Sequence, residues 1–239
     1  MSWVLFAHTN YDITTRVLSQ QVMPKLIEYA KSRLYNIYDL PGSNATRDNF
    51  TYAVLSKNPE AVILSGHGES DGIASQEAGV DILSLTNAIL MGNRVGYFIA
   101  CKTGLELAPQ CVDSGARAIL AWDDVLTIVV DDDEKLLEGF VECLTAPKIL
   151  FDGYSMNHVY SKTIETYNDW IKYWDEKDPL IADILRHDRD HYRMFGSGAS
   201  YIRFGWGFFV STVIYMTYLC YVLGGVNLVI DVYKALRRG

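Results

Sequence analysis

The first half of the chain alternates short apolar runs with longer segments of helical spacing. The runs are Trp3–Ala7, Asn36–Leu40, Ala61–Leu64, Val95–Ala100 and Ala118–Trp122. Each is too short for a stable helix and ends at polar or glycine-containing residues, so each reads as a strand. Between them, Asp12 is placed to cap a helix reaching to about Lys31, with Ile13, Val17, Val22, Leu26, Ile27 and Ala30 at helical spacing and Pro24 weakening or kinking it. Thr46 caps a helix through Phe50, Ala53, Val54 and Leu55. A polar loop is expected from Ser65 to about Gly79, then helices over Ile82–Leu90, Leu105–Ser114 and Asp131–Leu144, the last with acids in its first turn. Continuous apolar strands alternating with helices predict an α/β fold: a mostly parallel sheet between two helical layers.

The pattern then changes. Residues 154–192 are helical and polar, and no function follows from them. From Phe204 to Ile230 there is no charged residue. A bilayer crossing needs about 20 apolar residues. The run therefore predicts a transmembrane helix, with a long buried core helix as the alternative. The expected organisation is a domain over 1–150, a helical extension over 151–200 and a membrane-anchoring helix over 201–239. The N-terminal residues have no basic region followed by a long apolar one, so no signal peptide is expected. The expected location is then the cytoplasmic face of a membrane.

Composition narrows the functional classes. The 239 residues are 49 % hydrophobic and 21 % charged, which is globular, and the net charge of −8 disfavours a nucleic-acid partner. Cys101, Cys111, Cys143 and Cys220 form no C-x-x-C pair, so a zinc knuckle is not expected. No cofactor and no metal are called for.

Ligands of open parallel sheets bind outside the carboxyl ends of the strands. His67 follows the third run and Cys101 follows the fourth. A cysteine nucleophile needs a base to populate its thiolate, and a histidine at a neighbouring strand end supplies one. Gly68 lets a backbone N–H approach a carbonyl closely, and the N–H of Cys101 is a natural second oxyanion donor. The paired blocks AVILSGHG and VGYFIAC resemble those of the caspase-like superfamily of cysteine peptidases, which includes caspases, metacaspases, legumains, clostripain, separases and gingipains. The continuation Cys101-Lys102-Thr103-Gly104, with Gly115-Ala116-Arg117-Ala118-Ile119, resembles the gingipain-like and CHAT branches. The resemblance spans roughly residues 1–150. It implies a caspase-like three-layer α/β/α sandwich, a protein or peptide substrate, His67 as general base and acid, Cys101 as nucleophile, and Gly68 with Cys101 as oxyanion donors. The Gln-Ala-Cys-x-Gly context of caspases is absent, so a preference for aspartate is not implied.

Asp123 and Asp124 follow the fifth strand and can either recognise a basic substrate residue or stand as solvated loop acids. His8, after the first strand, is a further candidate for substrate binding. Asp12 is placed either to line the same cleft or to cap its helix. Two other patterns compete. Gly68-Glu69-Ser70-Asp71-Gly72 matches G-x-S-x-G and would make Ser70 the nucleophile of a serine hydrolase, provided a strand runs directly into it and a helix leaves it. His187 and His191 share a helix face in HDRDH, as metal ligands can, but their charged setting reads as a solvated face. A caspase-like scaffold that binds a partner without catalysis is the non-enzymatic alternative.

Overall fold

The computed structural model describes residues 2–130 and 134–203. In chain order these form β1 (Trp3–His8), α1 (Ile13–Val17), α2 (Met23–Ser32), β2 (Asn36–Pro41), α3 (Arg47–Lys57), β3 (Ala61–Ser65), β4 (Gly68–Glu69), β5 (Gly72–Ala74), β6 (Asp81–Ser84), β7 (Val95–Ile99), α4 (Leu107–Asp113), β8 (Ala118–Trp122), α5 (Glu134–Thr145), α6 (Met156–Asp175), α7 (Pro179–Asp190) and β9 (Tyr192–Gly196). The five expected strands pair side by side in the order β2-β1-β3-β7-β8, all parallel. The alternation of side chains fills both faces. Val4, Phe6, Ile63, Tyr97, Ile99, Leu120 and Trp122 point into one layer, with Leu26 of α2, Val141 of α5 and Val159 of α6. Leu5, Val62, Leu64, Phe98, Ile119 and Ala121 point into the other, with Phe50 of α3 and Cys111 of α4. This is the expected three-layer sandwich. Cys111 and Cys143 are buried packing residues.

Two local expectations are corrected. The loop ending near Gly79 and the start of the expected helix over Ile82–Leu90 instead form a small antiparallel sheet, β4-β5-β6. Ile82 and Leu83 join the buried layer beside Ile73. Ser84 then adopts an extended backbone and forms a capping box with Asn87, so only a 3₁₀ segment, Leu85–Met91, follows. At Pro24 the helix is weakened locally, while Val22 and Met23 keep helical backbone angles. The turn before it widens to a π-helix over Leu18–Val22, where the Met23 N–H bonds Leu18 O. A widened turn relieves the clash of a proline ring with the preceding turn's carbonyl.

The helical segment 154–192 forms α6 and α7, but β9 was not anticipated. It pairs antiparallel with β8 and completes the sheet, with Tyr192 packed 4.8 Å from Trp122. Asp131 to Asp133 and the charge-free run Phe204–Ile230 lie outside the described residues. Among the described residues, no helix is long and apolar enough to cross a membrane.

Candidate active site

The chain leaves β1 for β2 on one side and returns to β3 on the other, so a crevice opens between the carboxyl ends of β1 and β3. Two segments meet there. Asp12 caps α1, accepting from Thr15 N at 2.8 Å through Oδ1. Its other oxygen, Oδ2, lies 2.5 Å from Nε2 of His67. One carboxylate thus caps a helix and fixes an imidazole. Burial is the largest single influence on the Asp12 carboxyl and pushes it up, but the Thr15 N–H and hydroxyl and the His67 ring together outweigh it and hold the carboxyl below the usual range. Tyr11 stacks parallel on the His67 ring at 5.6 Å, and its hydroxyl donates to Ser75 O at 2.6 Å. With Nε2 taken by Asp12, Nδ1 is the nitrogen left to carry a proton to or from a neighbour.

Cys101 sits just past β7, and its sulfur meets the backbone of the loop after β8. Leu126 N–H donates to Sγ at 3.4 Å, and the thiol reaches Leu126 O at 3.7 Å. Burial is the main influence on the thiol and pushes it up; Asp188 and Glu69 act in the same direction, while the Leu126 contact and Lys102 act against it. These influences together favour the protonated thiol. The Cys101 turn is locked at two places. Lys102 N–H donates to Asp124 O at 2.9 Å, and Gly104 N–H donates to Trp122 O at 2.7 Å. Gly68 lies so close to this turn that a Cβ there would meet Cys101 O at 2.4 Å. The His67–Ala74 pair carries a ladder hydrogen bond, Ala74 N to His67 O at 2.9 Å. Antiparallel pairs alternate, so the adjacent Gly68–Ile73 pair is the non-bonded kind and the Gly68 N–H points away from β5.

His67, Gly68 and Cys101 line one cleft of about 340 Å³, together with Glu69, Asp71, Gly72, Ala74, Asp81, Lys102 and Val125. The expected pair of strand-end residues is therefore brought to one place. The expected substrate-binding residues are not. His8 is buried, 4 % exposed, and both ring nitrogens are engaged: Nδ1 with Ser19 Oγ at 2.7 Å and Nε2 with Asp39 Oδ1 at 3.1 Å. Asp123 is neutralised by its own chain, through Arg193 Nε and His191 Nδ1, each at 2.7 Å. Asp124 accepts from Val125 N at 2.7 Å, and the loop presents Val125, not either aspartate, to the cleft. Ser70 lies in the turn between β4 and β5, with no helix after it, so the nucleophile-elbow reading fails on geometry.

The residues that sequence reasoning missed are Asp71 and Asp81, both on the cleft wall. Burial first, and Asp71 second, push the Asp81 carboxyl up. Its oxygens lie against Gly72, where a Cβ would meet Asp81 Oδ2 at 2.7 Å. Arg47 acts against burial and Asp71 by its charge, though its hydrogen bonds go to the Asp81 backbone oxygen at 2.7 Å and to Ser84 Oγ at 3.2 Å. The only sequence signal was for Asp71, which lies in the glycine-containing loop after His67; Asp81 lies beyond that loop and carried none. Asp12 takes its expected place as the cap of α1, and it reaches the cleft only through His67, being absent from the lining itself.

No family model matches the sequence, and no curated protein matches it. Solved structures do resemble its fold. One is a complex of the pro- and mature domains of RgpB from Porphyromonas gingivalis, with a TM-score of 0.57 and 13 % identity, over 85 % of this chain and 48 % of that one. Another is gingipain R, titled an Arg-specific cysteine proteinase, with a TM-score of 0.57 and 12 % identity, over 84 % of this chain and 48 % of that one. The protein has their caspase-like fold. It spans about half the length of those chains.

Proposed function

We propose that this protein is a cysteine endopeptidase in which Asp12, His67 and Cys101 act as a relay, cleaving after basic residues. The observation that carries the proposal is the shared cleft lined by His67, Gly68 and Cys101, with Asp12 fixing the far nitrogen of the imidazole. His67 Nδ1 takes the Cys101 proton as Sγ attacks the substrate carbonyl, and the imidazolium that forms is balanced by Asp12. The oxyanion is received by the N–H groups of Gly68 and Cys101. His67 then protonates the leaving amine, a thioester remains on Cys101, and a water deprotonated by His67 hydrolyses it. A raised resting thiol fits this order, because proton transfer accompanies attack instead of preceding it.

The preference for a basic residue shifts from Asp123 and Asp124 to Asp71 and Asp81. Two carboxylates facing one cleft, one of them held up by burial and by the other, are relieved by a cation between them. The fold neighbour titled as Arg-specific is consistent with this assignment. The test is profiling of purified protein against a peptide library diverse at the residue before the cleaved bond, with Cys101→Ala as control. Cleavage after Arg or Lys that is lost in the control is expected. Absence of cleavage, together with equal slow alkylation of all thiols, would favour the non-catalytic scaffold.

A further inference from the structure

On the far side of the loop that contacts the Cys101 sulfur lies a second group of chemically capable side chains. His187 of α7 and His191, the C-terminal cap of that helix, are four residues apart, so both imidazoles project from one helix face. Their ring centroids are 4.5 Å apart. Asp124 reaches them from the loop after β8, and one ligand atom from each of the three residues lies within 4.8 Å of the other two. We propose that Asp124, His187 and His191 bind a Zn²⁺ ion and thereby pin this loop to α7.

The ligand set fits the ion. Two imidazoles and one carboxylate are three of the four positions of a tetrahedral zinc site, with the fourth left to water. The outer contacts fit as well. Asp123 Oδ1 holds His191 Nδ1 at 2.7 Å, which leaves Nε2 as the free nitrogen, 3.9 Å from Asp124 Oδ2. A carboxylate on the distal nitrogen of a ligating histidine fixes the ring and raises its basicity. His187 is fixed against the same loop through its contact with Val125 O at 3.1 Å. All three residues are partly exposed, so an ion from solution can enter.

The position gives the site a consequence. Asp124 O receives the Lys102 N–H at 2.9 Å, Val125 lines the cleft, and Leu126 N–H donates to Cys101 Sγ at 3.4 Å. An ion tying Asp124 to α7 therefore holds the loop closed on the thiol. That consequence rests on the peptidase reading; the ion site does not. Calorimetric titration of Zn²⁺ into the full chain carrying Cys101→Ala separates the two, because this variant removes both activity and any zinc bridging of the thiolate and His67. One Zn²⁺ per chain is expected, with affinity weakened at least tenfold by adding His187→Gln and His191→Gln. Asp124→Asn, a single change in a partly exposed loop side chain, is expected to weaken it at least tenfold also, and serves where the double variant does not fold. No binding, or unchanged affinity in a folded variant, overturns the site. With Cys101 present, Zn²⁺ is expected to slow its alkylation at least threefold. Equal slowing in the His187→Gln/His191→Gln protein would place the ion at the thiol and overturn the loop mechanism.

Discussion

The behaviour of Cys101 depends on its neighbours more than on its own chemistry. Its thiol is held up by burial, so the pH at which alkylation by iodoacetamide reaches half its maximal rate in the free protein is expected to lie above that of an ordinary cysteine, about 8.5. A midpoint below that value would contradict a base-dependent thiol. Asp12 is the positioning partner of His67, and Asp12→Asn keeps an oxygen to cap α1 while removing the charge that balances the imidazolium. We expect kcat to fall on the order of 10²-fold with little change in KM, since general acid–base catalysis contributes roughly 10²–10⁴-fold. Asp81→Asn is expected to lower kcat/KM for an Arg substrate by roughly 10–100-fold and to leave uncharged substrates unaffected, as follows from losing about 1.5–3 kcal/mol of charged hydrogen bonding. His67 and Cys101 were legible because strand ends are legible. Asp71 and Asp81 were not, because a hairpin decides which acids of a polar segment turn inward.

At the scale of elements, the site depends on two backbone approaches. Gly68→Ala would force a Cβ to within 2.4 Å of Cys101 O, a backbone atom fixed by the Lys102 and Gly104 hydrogen bonds. This variant is expected to fold with a lower melting temperature and to lose activity beyond what its stability explains. Element α7 carries a second constraint. Asp188 is 1 % exposed, and its Oδ1 accepts from Thr127 N at 3.0 Å. Burial pushes its carboxyl well up, so the folded state binds the proton more tightly than the unfolded one. Stability from this group is therefore full below the ordinary aspartate value of about 3.9 and declines as pH rises through the folded-state value. Asp188→Asn is expected to flatten that decline in denaturant titrations between acid and neutral pH. A steeper decline in the variant would reverse the sign of the argument. The five parallel strands and most helices were legible from apolar periodicity. The Ile82–Leu83 segment was not, since a short apolar run before Ser84 suits a strand as well as a helix.

For the whole molecule, β9 matters most among the elements that were not anticipated. It covers the edge of β8, and Ile202 just beyond it is buried, while Arg203 pairs with Glu60 at 2.5 Å. A chain ending at His191 leaves the β8 edge unpaired and Trp122 uncovered. It is expected to be recovered mainly as aggregate, because an exposed apolar edge templates association. The sequence by itself determined the parallel sheet, the helical layers, the paired strand-end His67 and Cys101, and the charge-free run that follows residue 203. These depend on local periodicity and on the rule that ligands gather at strand ends. Only the tertiary structure decided that Asp12 holds His67, that His8 and Asp123 are occupied elsewhere, that Asp71 and Asp81 join Glu69 on the cleft wall, and that Asp124 meets His187 and His191. Each of those depends on which distant segments the sheet order and the hairpin bring within hydrogen-bonding distance. A period of two or 3.6 residues sets the face on which a side chain lies, but not the neighbour it finds there.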